Sequence, residues 1–438
     1  VNRRFLWAAC VSIGTACAAR AATPYDDALA ALTGIDKAED QELDALLARP
    51  ADAAFFAEPR AAALLKPNQK ALALFREATQ APSDGYLFAP KVDSYDAKTA
   101  IPLYDRHVRL VKLLLLDAKL AAPSRPRRAE ADLLAALGFA TQVSQQKTGA
   151  LSARLVAALT VGKADAQLID SARDRAASPA YLKELAARLE RLAKVQDFMR
   201  AGFEEEALRN EGAVRESFTP EMVAREQAEM PMLQRVLSQK DQDAEYSARV
   251  LSLYNAATDA RTRALIAAFR ANDLAVLEDY DRKLAADIAA RKKARESVAL
   301  WERFLDGARG GALAKRQTAE ASADALLSVR APAYPLLLAH EHAFLSELSV
   351  LRAGVAVERY RRDRKVPPAK LARLKPGYLD AVPTDSFNRF APLRYAASKT
   401  SFLVYGVGPD RKDHGGLPLD LAAFMDDKPA VGDFVFRD

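Results

Sequence analysis

Apolar positions recur every three or four residues over most of this chain, the spacing that lays a single stripe along an α-helix. The pattern is strongest from Leu103 to Ala122, where Leu113, Leu114, Leu115 and Leu116 stand in a row. Such a helix is apolar on more than one side and is expected to be central. After Pro123-Ser124-Arg125-Pro126 the stripe resumes from Arg127 to Gln146, with Leu133, Leu134, Leu137 and Ala140 on one face. Two helices joined by so short a break should pack antiparallel as a hairpin. Helix continues over Leu151 to Val161, and Ser178-Pro179 marks a further start, with Ser at the N-cap and Pro at N1. More helices are expected from Glu221 to Leu327, opened by Thr219-Pro220 and broken at Gly307 to Gly311. Helical hairpins are the common texture, without the fixed period of a true repeat array.

The two ends depart from this pattern. Between Tyr25 and Pro102 short helical stretches alternate with turn signals such as Thr33-Gly34 and Ser83-Asp84-Gly85. A last long helix is predicted from Leu336 to Arg364, burying Phe344, Leu348, Leu351 and Val355. Past Pro367 Pro, Gly, Asp and aromatics become frequent, and Ser401 to Val407 and Asp433 to Phe436 read as short strands. The expected fold class is therefore mostly α: an antiparallel helical-hairpin array followed by a small α+β C-terminal module. Its divisions are a leader over residues 1–21, an N-terminal helical cap over 22–101, the array over 102–330 and the module over 336–438.

The leader changes the picture of where the chain works. Arg3-Arg4, an apolar run from Phe5 to Ala19 and the small residues Ala19 and Ala21 read as a secretory signal peptide cut near Ala21. The run is shorter than the roughly 20 residues a membrane span needs, so the cut chain is expected to lack a transmembrane segment and to be periplasmic or secreted. An alternative is a lipoprotein anchored through Cys17, although Gly14 stands where a lipobox has a large aliphatic residue. Cys10 and Cys17 are the chain's two cysteines. Both leave with the leader, and disulfides and thiolate chemistry leave with them. Losing Arg3, Arg4 and Arg20 also lowers the net charge from +6 to +3. No basic stripe with interleaved aromatics remains, which argues against nucleic-acid binding.

Candidate chemistry is sparse. His340-Glu341-His342 has the look of a metal motif, but residues two apart on a helix point about 200° apart, so the pair is read as a partly exposed helix surface. His107 is read as a buried or capping histidine. Glu204, Glu205, Glu206 and Glu211 form the densest carboxylate cluster and are read as a solvated helix face; an exported hydrolase using carboxylates is the alternative they raise. No catalytic residue is assigned, and the chain is expected not to be an enzyme.

The C-terminal module resembles the globular part of the major pseudopilin of type II secretion systems. The shared order is a helix ending in Glu358-Arg359-Tyr360-Arg361, then Val366-Pro367, Tyr378 to Asp385, Leu393-Arg394-Tyr395, Phe402 to Asp410, and Gly432 to Phe436. A similar tail follows a larger helical region in exported bacterial proteins without an established activity. The resemblance implies a calcium ion held in the loop after Gly408-Pro409-Asp410, with Asp410, Asp413 and Asp433 as its ligands. Arg411 stands where that loop usually has Gly. On the residues alone, Asp410 and Asp413 cap turns. The function expected from these readings is a non-catalytic exported envelope protein, a scaffold whose partner is an envelope protein or peptide. The alternative is an accessory component of a type II secretion or type IV pilus-like system.

Overall fold

The computed structural model describes residues 23, 25–34, 36–81, 97–145, 150–195, 274–298, 302, 317, 320–321, 324, 333–420, 424 and 430–437. They are mostly helical, with two small antiparallel sheets near the C-terminus. Two compact units divide the chain. The first joins the described residues within 23–195 to those within 340–437, and the second holds the described residues within 274–339. The expected leader, residues 1–21, and the helices expected between Glu221 and Asn272 lie outside the described residues.

The first unit opens with α1 (Asp26–Ala31), α2 (Lys37–Ala48), α3 (Ala53–Phe56), α4 (Pro59–Leu65) and α5 (Gln69–Ala78). Local chemistry sets these starts. Asp36 and Glu39 form a capping box on α2, Asp52 caps α3, and Pro59 occupies the first turn of α4. The hairpin follows as α6 (Ala97–Ala121) and α7 (Pro126–Ser144). It is antiparallel: His107 stacks on Phe139 near one end, and Asp117 meets Arg128 near the other. Leu113 to Leu116 are all fully buried, because α2, α4, α5, α7 and α8 (Ala150–Arg173) pack around α6. Next comes α9 (Pro179–Ala193), with the Ser178 hydroxyl accepting from the Tyr181 amide as its N-cap.

A buried lysine and a half-buried arginine tie elements together. The Lys119 ammonium donates to the carbonyls of Leu46 and Leu47 at 3.0 Å each, and to that of Arg49, where α2 leaves its last carbonyls without intrahelical partners. Burial lowers the pKa of Lys119. Arg76 bridges Asp132 and Asp117 beneath the hairpin.

In the second unit, the described part of α10 (Leu274–Glu296) presents Arg291 and Arg295 to Asp324, each at 2.7 Å. The long helix α11 (Ala333–Arg364) enters the first unit at His340. Arg352 donates to Glu190 at 3.0 Å, and Arg362 donates to the carbonyls of Ala172, Asp174 and Ala177 at 3.0, 2.7 and 2.6 Å, closing the C-terminus of α8.

The sheets follow. Strands β1 (Thr384–Asp385) and β2 (Ala391–Pro392) pair, and β3 (Arg394–Ala397), β4 (Phe402–Val407) and β5 (Asp433–Arg437) form an antiparallel sheet in that order. The sheet meets α11 at Gly354, where a methyl group would overlap the ring of Phe436. Asp385 is fully buried. Its carboxylate accepts from the Phe387, Asn388 and Val407 amides, pinning the small sheet to β4. Among the described residues, no helix is long and apolar enough to cross a membrane.

Candidate functional site

A cavity of about 80 Å³ lies within the first unit, between α8, α11, the segment at Pro418-Leu419 and the start of β5. Asp165 enters it from α8. Glu347 and Val350 enter from α11, three residues apart and so on one helical face. Pro418, Leu419, Asp433, Phe434 and Val435 complete the lining.

Among the described residues, no cation is set against the two helix-borne carboxylates. Glu347 is 5% exposed, and its Oε1 has no hydrogen-bond partner. Desolvation raises its pKa well above the ordinary range, and the charge of Asp165 adds to the effect. Asp165 is pushed up to about 7, first by desolvation and then by the charge of Asp170. Two acids placed this way oppose each other's ionisation. Asp433 behaves differently: its Oδ2 accepts from the His414 and Gly416 amides at 3.1 and 2.8 Å. These bonds oppose the upward push of desolvation on its pKa without cancelling it.

The loop read as a calcium site is held by protein donors. Asp410 accepts from His414 Nε2 at 2.7 Å and from the Lys412 amide at 3.1 Å. Asp413 pairs with Arg394 at 2.7 Å and accepts from the Gly415 amide at 2.9 Å. Asp410 and Asp413 thus cap turns, each binding the amide two residues on. Calcium needs six to eight oxygens free to converge, and these three carboxylates are already engaged by His414, Arg394 and backbone amides. Among the described residues, no group of three or more His, Cys, Asp or Glu side chains is placed to hold a metal. The residues present do not fit the calcium ion that the resemblance implied. Arg411 keeps a left-handed φ of 59°, the conformation a Gly in that place would adopt without strain.

The reading of His340-Glu341-His342 as a partly exposed surface needs correction, since all three are buried. The sheet and its connections cover that end of α11. His342 Nδ1 lies 3.0 Å from the Ser386 carbonyl oxygen, the Ser386 hydroxyl donates to the His342 carbonyl at 2.7 Å, and Ser346 meets Ser386 at 2.7 Å. This buried polar knot fastens the helix to the turn after β1. His340 points elsewhere, edge-on to Phe424 at 5.2 Å, and burial lowers its pKa to about 4. The two rings diverge as the helical geometry requires, so they do not chelate one ion. His107 is fully buried between Tyr25 and Phe139, as expected. Glu204, Glu205, Glu206 and Glu211 lie outside the described residues.

Asp165 and Glu347 escaped the sequence reading. Glu347 did carry a signal, a lone acid inside the apolar run Phe344-Leu345-Ser346-Glu347-Leu348. No family model matches the chain, and neither a curated protein nor a solved structure matches it.

Proposed function

We propose that this is a non-catalytic exported envelope protein that docks an envelope protein or peptide through its C-terminal α+β module. One observation carries the reading. Of the six large hydrophobic residues exposed among the described residues, four fall in the module: Val366, Phe390, Leu417 and Val431. Leu417 and Val431 are the most exposed, at 55% and 56%, and sit on adjoining segments, since the Asp433 amide donates to the Leu417 carbonyl at 2.6 Å. Scattered exposed apolar side chains are ordinary, whereas contiguous apolar patches mark contact surfaces. The ties from Arg352 and Arg362 hold this surface on a rigid helical support, which lowers the entropy lost on docking. Export rests on the leader reading of residues 1–21, and the periplasm or the medium is the proposed location.

A second reading makes the protein a soluble accessory of a type II secretion or type IV pilus-like machine. What favours it is the build of the module, a long helix followed by a three-stranded antiparallel sheet, which accords with the pseudopilin resemblance. Crosslinking pull-down in cells tests both. The full chain should capture defined envelope proteins, and Leu417→Asp with Val431→Asp should lose them; secretion-machine components among the captured proteins would select the second reading. Equal capture by the double variant would remove the docking surface from the account. Truncation before Leu336 is a poor probe, because it strips α11 from the core it shares with α8 and α9.

A further inference from the structure

We propose that the cavity between α8, α11 and β5 is a binding site for a small organic ammonium ion, its charge set against Asp165 and Glu347 and its alkyl part against Val350, Leu419 and Phe434. This is independent of the docking reading. Glu347 is buried with an oxygen that no protein donor meets, and it shares the cavity with a second acid from a helix 182 positions earlier in the chain. Alone, the pair avoids the cost of buried charge by holding protons; a cation in the cavity would let it ionise, and the described residues supply none.

The lining selects the kind of cation. A hard divalent metal wants oxygen on every side, yet the Asp433 carboxylate is taken up by the His414 and Gly416 amides, and Val350, Pro418, Leu419 and Phe434 line much of the remainder. An alkylammonium matches such walls. Its N–H groups donate to the two carboxylates, its carbons contact the aliphatic side chains, and an aromatic ring favours a nearby cation. Size agrees as well. A dry cavity of roughly 150 Å³ takes benzene, so a space of about 80 Å³ suits an ion with about half as many heavy atoms.

Thermal unfolding and calorimetry of the full chain test this with ethylammonium chloride, using ethanol, sodium chloride and magnesium chloride as comparisons. The expected result is a rise in Tm and one saturable site for ethylammonium alone. Glu347→Gln and Asp165→Asn should abolish the rise while keeping or raising the basal Tm, because an amide keeps the shape of the protonated acid and cannot ionise against the ligand. No saturable ethylammonium binding, an equal rise in either variant, or a response to magnesium instead would overturn the proposal. Should an amide variant fold poorly, wild-type calorimetry decides by itself: heat from ethylammonium but not from ethanol supports the site, and its absence overturns it.

Discussion

At Gly354 of α11 the missing side chain is what lets the Phe436 ring of β5 seat against the helix. Gly354→Ala should therefore destabilise the protein by about 1–3 kcal/mol, the usual cost of overpacking a core, as measured by urea unfolding. Arg389 shows the reverse situation. Its φ is 53° and its side chain is exposed, so it holds a left-handed conformation at a cost that Gly avoids. Arg389→Gly should stabilise by about 0.5–1 kcal/mol after allowing for the greater freedom of Gly in the unfolded chain. An unchanged urea midpoint would show that the turn relaxes around the arginine.

At the scale of elements, helix ends are closed by side chains from distant parts of the chain. Arg362 closes α8, and Lys119 closes α2. Arg362→Leu should cost about 1.5–3 kcal/mol, in the range for hydrogen bonds to charged groups, and should speed amide exchange in the last turn of α8 while leaving α2 unaffected. Local closures of another kind were legible in the sequence. Ser178-Pro179 opens α9 as its residues suggested, and the apolar period placed α7, the body of α11 and the end of α6 to within a few residues, while α6 begins six residues before Leu103, at Ala97. Strands β4 and β5 were readable from the runs Ser401 to Val407 and Asp433 to Phe436, whereas β3, with Arg394-Tyr395-Ala396-Ala397, carries no apolar alternation and owes its form to pairing with β4. The polar triplet at His340 looked exposed because period alone does not reveal that the sheet covers the helix there. The cavity was illegible for the same reason: Asp165 and Glu347 meet only once α8 and α11 pack.

For the whole molecule, a desolvated acid and a buried histidine make stability depend on pH in opposite senses. Asp165, with Glu347 and Asp433 lining its cavity and Asp170 on its own helix, has a folded pKa raised to about 7. The folded state then binds the proton more tightly, so this contribution is fully present below the unfolded carboxylate pKa and is lost as pH rises through about 7. His340, lowered to about 4, contributes above its unfolded value near 6.5, and that contribution is lost as pH falls toward 4. The two slopes oppose each other between these limits, and only the acid slope persists above pH 6.5. Tm should consequently fall between pH 6.5 and 8, and Asp165→Asn should flatten that fall. A wild-type Tm constant over this interval would place a cation or an open water path beside the pair.

The same wholeness bears on function, because the exposed apolar residues of the module ride on a core shared with the helical body. Site-specific photo-crosslinking in the cell tests the docking surface most directly, with the reactive group placed at Leu417 or Val431 and, as a control on the same module, at exposed Lys399. Discrete crosslinked envelope proteins are expected from positions 417 and 431 and none from 399. Crosslinks of equal yield from all three positions, or from none of them in a folded protein, would contradict it.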